Sequence, residues 1–455
     1  MNSCRPPITH SQRCAVVIGA GIAGLLATRV LCDHFPHVYL IEQDELPATP
    51  QARNGVPQAR HVHLLMVRGR RVLDHFFPDL GAELFSRGAI PLDWYADVRW
   101  YGPAGWMANG GNGLITCSAS RDLLEFALRQ RVVADNRVQL ISRHKVAGLE
   151  VDAQTGQIRA VRVMPRHSHL AAGQTLAADV VIDASGRSSQ TARWLNDLGY
   201  GQAQKRVVNA FLGYSSRLYR RPTGASSAPW KALIISAQPP DCFRAGGMFA
   251  IEHDQWMVVL MGGGGDYPPK DEAGFLNFAH SLRDPGLYQA LQDAEPVSPV
   301  WHYRRTENRW IHYERQAKWP AGLIVMGDAV CGFNPIYGQG MTVAALSAEL
   351  LDKTLHSRAG LADITTSFQQ QLAALCAWPW TMATGADLLY PTTEGGENAW
   401  HARLAQHYLN QVLIMATKYP DIYQRFVRVM NMVDPPSVLF APSVAARMAI
   451  GWFRR

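Results

Sequence analysis

The sequence predicts an α/β protein with a parallel nucleotide-binding sheet, an inserted antiparallel sheet and a helical C-terminal region. Three observations lead to this fold. Residues 14–42 have the pattern of a strand, a glycine turn, a helix and a second strand that ends on an acid. Short β-rich runs between Gly and Pro turns follow over residues 200–310, which is typical of antiparallel sheets. Beyond residue 370 the pattern is mainly helical.

The glycine turn carries the fingerprint of a dinucleotide-binding unit, formed by Gly19, Gly21, Ala23 and Gly24. Gly19 permits the tight turn, and Gly21 lets the backbone approach a pyrophosphate. Gly24 lets the helix pack closely on the strand. The start of the helix then offers free N–H groups and a partial positive charge to phosphates.

The second strand of this unit, residues 38–41, ends on Glu42, whose carboxylate can accept hydrogen bonds from ribose hydroxyls. A secretory signal is the alternative interpretation, because Arg5 and Arg13 flank the start of an apolar run. The glycine spacing and the absence of a small-residue cleavage site favour the strand. We therefore expect a bound dinucleotide.

Composition excludes several other classes of protein. The 47% hydrophobic and 18% charged residues indicate a globular chain, and no apolar stretch of about 20 residues predicts a membrane span. Seven scattered cysteines without a CxxC pair favour the reducing cytoplasm and argue against a zinc cluster. The net charge of +7 is spread along the chain without a nucleic-acid-binding motif, so we expect no nucleic-acid partner.

The segments between the first unit and residue 310 predict further elements. Between residues 64 and 183 we expect a helix over residues 64–78, a capped helix after Ser120, a strand over 138–141, a hairpin at Gly156 and a strand over 180–183. The antiparallel region has strands over residues 207–214, 232–236, 248–251 and 256–261. Its large side chains alternate, so half should be core and half should face a pocket: Trp230, Phe249, Trp256, Met257 and Met261.

A second glycine-containing site follows the buried strand predicted over residues 322–328. Asp328 ends this strand, where its carboxylate can bond a ribityl hydroxyl. Gly338 and Gly340 let backbone N–H groups of the next helix approach a flat ring. A reduced flavin is negatively charged at its N1–C2=O edge, and a helix start stabilises such an anion by about 0.3–2 kcal/mol. The candidates at this edge are Pro335, Tyr337, Gly338 and Gly340, with Met341 beside them.

These motifs together resemble the single-component flavoprotein monooxygenases, typified by para-hydroxybenzoate hydroxylase and squalene epoxidase. The resemblance rests on the first glycine turn with Glu42, on residues 183–188 (DASGRS) and on residues 327–340. Residues 57–65 (PQARHVHLL) resemble more closely the bacterial branch that contains polyether-antibiotic epoxidases. The family implies a Rossmann-like FAD-binding domain of the glutathione-reductase type.

The same resemblance implies roles for individual residues. Arg60 and Arg121 would contact non-covalently bound FAD, with Arg121 near the pyrophosphate, while Asp183 and Arg187 would belong to the loop between flavin and reductant sites. Two positions depart from the hydroxylases of the family: Ala184 follows Asp183 where they have glycine, and Val330-Cys331-Gly332 stands where they have a histidine.

In this family NAD(P)H reduces the flavin, which reacts with O2 to give a C4a-hydroperoxide that passes one oxygen atom to the substrate. The chain has a single GxGxxG, so NAD(P)H would bind transiently. We expect epoxidation or hydroxylation of an apolar small molecule in secondary metabolism. The alternatives are an aromatic hydroxylase, a flavin-dependent reductase of the geranylgeranyl-reductase type and a non-catalytic flavin- or lipid-binding protein.

Three units are expected along the chain. They are an FAD-binding domain over residues 10–195 and 310–370, a substrate domain over 196–309 and a helical region over 371–455, and residues 85–115 are a candidate addition to the substrate region.

Several remaining patterns have a simple structural interpretation. The His-x-His pairs at 61/63 and 167/169 lack accompanying carboxylates or cysteines, so we expect no metal site. Trp378-Pro379-Trp380 lacks the Trp-x-Trp-x-Ile-Pro hallmark of flavin halogenases. We therefore expect the two tryptophan side chains to pack in the core or against a pocket. Residues 437–455 predict a terminal helix, either docked on its own domain or in peripheral contact with a membrane.

Overall fold

A computed structural model describes residues 13–166, 173–222, 228–357, 360–396, 400–444 and 447. Its strands are, in chain order, β1 Cys14–Ile18, β2 His37–Ile41, β3 Ile90–Asp93, β4 Val98–Gly102, β5 Gly105–Trp106, β6 Ile115–Ser118, β7 Val138–Ile141, β8 His144–Val151, β9 Ile158–Pro165, β10 Gln174–Ala177, β11 Val180–Asp183, β12 Lys205–Val208, β13 Gly213–Arg220, β14 Ala232–Ile235, β15 Ala245–Ile251, β16 Gln255–Gly262, β17 Trp301–Tyr303, β18 Asn308–Ile311, β19 Leu323–Val325 and β20 Cys331–Gly332. Its helices are α1 Ile22–Cys32, α2 Val67–Phe76, α3 Leu80–Ser86, α4 Arg121–Val133, α5 Thr191–Asp197, α6 Glu272–His280, α7 Gly286–Gln292, α8 Gly340–Leu355, α9 Leu361–Asp387, α10 Trp400–Ala416 and α11 Pro420–Met430.

The parallel sheet has the strand order β19-β11-β1-β2-β7, and every neighbouring pair is parallel. Its central strands are apolar and fully buried, as expected for a sheet covered on both faces. The carboxyl ends of parallel strands meet at one edge. Gly19 and Glu42 therefore follow β1 and β2, Asp183 ends β11, and Asp328 comes shortly after β19, all at the same edge of the sheet.

The large mixed sheet has the order β17-β13-β16-β15-β14-β4-β5 and is antiparallel except between β14 and β4. One face packs against α6 and α7 in a core that includes Tyr219, Met248 and Trp256. The other face contributes Val98 and Phe249 to a second core shared with α10 and α11. Residues 98–106, which form β4 and β5, thus belong to this sheet although they come before β7 and β11 of the parallel sheet in the chain.

Smaller sheets connect these two parts of the molecule. The antiparallel sheet β10-β9-β8 flanks the parallel sheet, β3 pairs with β6, and β12-β18-β20 form a third antiparallel sheet. The chain beyond the large sheet is helical from α8 to α11. This mixture of a parallel sheet, an inserted antiparallel sheet and a helical C-terminal region confirms the predicted fold class.

Three predicted boundaries were wrong. The helix expected from residue 64 begins at Val67, because Met66 at its N-cap has an extended backbone (ψ 156°). The strand expected over residues 207–214 is divided between β12 and β13 at Phe211, whose φ of 50° is incompatible with a strand. The strand expected over residues 322–328 ends at Val325, and Asp328 lies in a 3₁₀ turn, Gly327–Ala329.

Other local predictions are confirmed. Ser120 caps α4, and its hydroxyl accepts a hydrogen bond from the backbone N–H of Leu123 at 3.1 Å. The hairpin turns at Gly156, whose φ is +70°. Among the described residues, no helix combines the length and apolar character needed to cross a membrane. The segment predicted as a terminal helix begins with a 3₁₀ turn, Pro436–Phe440. Its residues 445–446 and 448–455 lie outside the described residues, as does the pair His167/His169.

Candidate flavin site

The first glycine turn has the geometry that its sequence predicts. Gly19 has a φ of +97°, and a Cβ there would lie 2.8 Å from the carbonyl oxygen of Ala184. A Cβ on Gly24 would collide with the carbonyl oxygen of Gly19, so the close contact between α1 and β1 requires glycine. At Gly21 a Cβ would make only ordinary van der Waals contacts, the nearest at 3.8 Å, so there is room beside the start of α1.

Two guanidinium groups face this open space. A Cβ on Gly21 would lie 3.8 Å from Nη2 of Arg121 and 4.0 Å from Nη2 of Arg53. The Nε atom of Arg121 is buried and has no hydrogen-bond partner among the described residues. A helix start, two cations and an unpartnered donor suit a pyrophosphate, so the residues present fit an FAD molecule.

Three carboxylates hold Arg53 in place. Its guanidinium lies 2.9 Å from Glu42, 3.1 Å from Asp44 and 2.8 Å from Glu125. Burial lowers the pKa of Arg53, but the charges of Glu125 and Glu42 outweigh burial and raise it overall. Glu125 also pairs with Arg121 at 3.1 Å, so one acid orders both cations. Arg53 lies in a loop without a motif, so its role could not be predicted from the sequence.

Glu42 lies at the predicted edge but is largely occupied by protein donors. Its side chain accepts hydrogen bonds from the N–H groups of Ala20 at 2.8 Å and Asp44 at 2.9 Å, besides its pair with Arg53. A carboxylate has about four acceptor positions, so one remains for a ribose hydroxyl. A direct bond from Glu42 to the cofactor stays a prediction.

Asp183 is fully buried and binds its own loop. Its Oδ1 accepts from Ser185, and its Oδ2 accepts from Ser189 at 2.5 Å and Thr191 at 2.6 Å. These bonds give Asp183 a clear role in shaping residues 183–191, while its contact with FAD stays a prediction. The neighbouring Arg187 ties this loop to β18 and β20 by donating to the carbonyl oxygens of Glu307 and Phe333.

The flavin-edge loop, residues 334–340, leads into α8. Pro335 and Tyr337 form a 3₁₀ turn, and Gly338 adopts a left-handed φ of +67°. A Cβ on Gly340 would lie 3.9 Å from Asp328 Oδ1, an ordinary van der Waals distance, so Asp328 and the start of α8 are adjacent. The structure therefore brings together the acid and the glycines that the sequence predicts for a flavin.

A small cavity lies between the two predicted ends of the cofactor site. Its walls include His63, Ser120, Arg121 and Met341. Burial, followed by the charge of Arg121, lowers the pKa of His63 to about 3, so the imidazole is neutral. Met341 and Arg121, both predicted cofactor residues, thus share one cavity with His63.

An aromatic cluster joins the PQARHVHLL segment to the large sheet. The buried His61 lies 2.9 Å from the Ser216 hydroxyl, and its ring meets Tyr214 edge-on at 4.7 Å. Tyr214 in turn stacks on Tyr303 at 5.4 Å. The predicted cofactor residue Arg60 is exposed, with its guanidinium 6.0 Å from the ring centre of Trp301. No sequence motif indicated Tyr214 or Tyr303.

One face of the large sheet presents partly exposed apolar side chains. Trp100 pairs with Ile234, Ile234 with Gly247, and Gly247 with Val259, so these positions form a row on one face. Trp256 lies on the other face, stacked on Trp230 at 5.5 Å in the core. The predicted alternation is confirmed, because Phe249, Met257 and Met261 share the first face with Val259.

Leu64 lies between the flavin-edge loop and the core next to this face. Like Trp100 and Ile234, it packs against the core shared by the large sheet, α10 and α11. A Cβ on Gly338 would lie 3.6 Å from Leu64 Cβ. Trp378 packs on the same core, whereas Trp380 is buried against Trp310 at 5.4 Å. Both tryptophans therefore have packing roles, as predicted.

The structure also assembles one histidine–carboxylate group that the sequence analysis did not identify. Asp352 lies 3.4 Å from both His34 and His356, at the C-terminal ends of α1 and α8. His61, from the first His-x-His pair, does not belong to this group and forms a hydrogen bond with the Ser216 hydroxyl. The six described cysteines are all free thiols.

Comparisons with known proteins give a consistent result. Residues 281–374 match the family model described as squalene epoxidase. The chain is 31% identical over 450 residues to Protein Rv3254 of Mycobacterium tuberculosis, covering 94% of this chain and 91% of that protein. A relative of this identity and coverage establishes a shared family.

The chain belongs to the single-component FAD-dependent monooxygenases.

Solved structures share the fold of this FAD-dependent monooxygenase at low identity. The flavin-dependent brominase Bmp2 aligns with a TM-score of 0.65 and 14% identity over 98% of this chain and 99% of the other. The myxobacterial chondrochloren halogenase CndH gives a TM-score of 0.62 and 15% identity, over 94% and 97%. PqsL of Pseudomonas aeruginosa, a probable FAD-dependent monooxygenase, gives 0.57 and 16%, over 91% and 99%.

Proposed function

We propose that this monooxygenase uses NAD(P)H and O2 to transfer one oxygen atom to an apolar small molecule, with epoxidation of a carbon–carbon double bond favoured. The observation that carries the proposal is the position of Leu64 between two parts of the site. It lies beside Gly338 of the flavin-edge loop and packs against the same core as Trp100 and Ile234 of the large sheet. An apolar substrate on the sheet face of Trp100 and Ile234 would lie beside the reactive edge of the cofactor.

When bound, FAD supplies the electron transfer and oxygen activation. The chain would hold its pyrophosphate at the start of α1 with Gly21, Arg53 and Arg121. Asp328 and the N–H groups at Gly340 and Met341 would meet the ribityl chain and the flavin ring. The neutral His63 and the apolar walls would keep water away from the reacting atoms.

The sequence supports the assignment of binding regions, the branch of the family and the mode of NAD(P)H binding. FAD would be bound non-covalently by residues 10–195 and 310–370, and the substrate mainly by residues 196–309. The motif at residues 57–65 supports a place near the polyether-epoxidase branch and a role in secondary metabolism. A single GxGxxG supports transient binding of NAD(P)H.

Oxygen labelling tests the reaction directly. The purified holoenzyme would be incubated with NADH or NADPH and ¹⁸O2, together with linear isoprenoid alkenes or simple phenols as probes. We expect one labelled oxygen atom in an epoxide, analysed by mass spectrometry. A labelled phenolic hydroxyl would instead establish an aromatic hydroxylase. A product that gains two hydrogens without oxygen would establish a reductase and overturn the proposal.

A further inference from the structure

Asp387, at the C-terminal end of α9, is fully buried beneath the flavin-edge loop. Three side-chain donors point at its carboxylate. Asn308 Nδ2 lies 2.6 Å from Oδ2, while Asn334 Nδ2 lies 3.1 Å and the Tyr337 hydroxyl 2.6 Å from Oδ1. Two of these donors, Asn334 and Tyr337, belong to the loop itself.

The hydrogen bonds of the two amides fix their orientation. Asn308 Oδ1 accepts from the backbone N–H of Asn334 at 2.8 Å, so the amide nitrogen of Asn308 must face Asp387. Asn334 Oδ1 accepts from the N–H of Ile336 at 3.3 Å, which turns its nitrogen the same way. Both amides therefore donate to Asp387, and an ionised carboxylate, which only accepts, suits all three of its partners as donors.

This is an unfavourable position for a negative charge. The C-terminal end of a helix carries partial negative charge, and burial removes the solvation of the carboxylate. Around Asp387 the described residues offer the neutral donors Asn308, Asn334 and Tyr337, the nearby Tyr390, and no cation. Burial raises the pKa of Asp387 to about 7, although the three donors act against the rise. Residues that break a stability rule in this way are commonly found at functional sites.

We propose that Asp387 is a positioning residue that sets the conformation of the flavin-edge loop through Asn334 and Tyr337. The inference rests on the proposed function, since it assumes that this loop meets the flavin ring. The bonds of Asn334 and Tyr337 to Asp387 fix the two ends of the 3₁₀ turn that carries Pro335 and leads into Gly338. Asp387 thus controls where the start of α8 presents its N–H groups.

The Tyr337 hydroxyl gives this network two arrangements. If Asp387 takes up a proton, it becomes a donor and needs an acceptor. The amide nitrogens of Asn308 and Asn334 cannot accept, whereas a hydroxyl can rotate and reverse its hydrogen bond. Protonation of Asp387 therefore acts on the flavin-edge loop through Tyr337 alone.

The test compares three variants of the FAD-loaded enzyme. Asp387→Asn places an NH2 group against donors, and Tyr337→Phe removes only the reversible hydroxyl. Thr384→Val is the matched control, because Thr384 is buried in the same turn of α9 but bonds only the Trp380 carbonyl oxygen. For each variant we would measure the flavin reduction potential with a redox dye, the single-turnover reduction rate against pH, and thermal unfolding.

We expect Asp387→Asn to retain FAD, to shift the flavin potential and to slow reduction by about 10-fold to 100-fold, because a small misplacement of the reacting groups has effects of this size. The inflection of the rate near neutral pH should disappear. The inflection should also disappear in Tyr337→Phe, because without the hydroxyl the protonation of Asp387 no longer reaches the loop. This second variant keeps the test valid if Asp387→Asn fails to fold.

The contradicting results are equally specific. If Asp387→Asn and Tyr337→Phe only lower thermal stability and otherwise match Thr384→Val in potential and pH profile, the network is structural and the inference is wrong. If the wild-type protein binds no flavin, the proposed function fails instead. The two failures are therefore distinguishable.

Discussion

The starts of α1 and α8 are alike in backbone and opposite in charge. Each begins at or directly after a glycine with an ordinary backbone conformation where a Cβ would make only van der Waals contacts, Gly21 at one and Gly340 at the other. Arg53 and Arg121 face Gly21, held by buried acids. The nearest atom to a Cβ on Gly340 is instead a carboxylate oxygen of Asp328, and the loop before it rests on uncharged donors around Asp387.

This difference assigns the affinity for FAD to one helix start and the reactivity of the flavin to the other. Two fixed cations suit a pyrophosphate, which is always negatively charged, so the α1 end should determine affinity. A flavin ring gains negative charge only on reduction, so uncharged donors and a helix start at the α8 end should determine reactivity. Substitutions at the two ends should consequently affect different measurements.

The largest effect is expected for Gly21→Val. The side chain would occupy the space that faces Arg121 and Arg53, where the pyrophosphate must lie, so FAD binding should be lost. Gly360→Val is the control, because Gly360 also precedes a helix with ordinary φ and open space. Flavin content after purification checks this prediction, and full flavin content in Gly21→Val would contradict it.

Gly340→Val should separate binding from reactivity. The variant should retain FAD through the α1 end but lose about 10²–10³ in the rate of flavin reduction or reoxidation, as expected for the loss of a well-aimed donor. Stopped-flow kinetics and FAD titration of the same preparation measure both quantities. Wild-type kinetics would show that residues 338–341 do not touch the ring.

Arg121→Ala should weaken FAD binding without abolishing it. A hydrogen bond to a charged group contributes about 1.5–3 kcal/mol, which corresponds to roughly 10-fold to 150-fold in affinity. Arg131→Ala provides the comparison on the same helix, because Arg131 pairs with Glu83. Equal FAD affinities in the two variants would show that Arg121 is only a structural residue.

The smallest effect concerns pH and His61. Burial first, then the charges of His302 and Arg60, lowers the pKa of His61 to about 3. The unfolded chain takes up a proton below about pH 6.5, whereas the folded chain does not, so stability should fall as the pH drops from 6.5 towards 3. His61→Gln should reduce this dependence in thermal unfolding curves without abolishing it, because His63, whose pKa burial also lowers to about 3, contributes in the same direction. An unchanged slope would mean that His61 is not the group responsible.

The parts of the site that could be predicted are those coded within short segments. The turn at Gly19, the close contact at Gly24 and the cap at Ser120 depend on neighbouring residues, so their patterns indicate their structures. Asp328 and Gly340 could be paired because a strand end and the next helix start are adjacent in sequence.

The missed residues depend on contacts between distant segments. Arg53 acquires its place only when Glu42, Asp44 and Glu125 converge on it. Tyr214 and Tyr303 meet through the pairing of β13 with β17. Asp387 reaches the flavin-edge loop from the end of a long helix, and no local pattern distinguishes it from other acids. The predicted strand boundaries were wrong where a single residue, such as Phe211, does not adopt the extended conformation.

The most direct test of the account is to precipitate the purified protein with acid and to analyse the flavin that is released. We predict FAD in the supernatant in an amount equal to that of the chain, with the two absorption bands of an oxidised flavin near roughly 370 and 450 nm. Recovery of no flavin, or of flavin that remains in the protein pellet, would contradict a non-covalent FAD site built on α1 and α8.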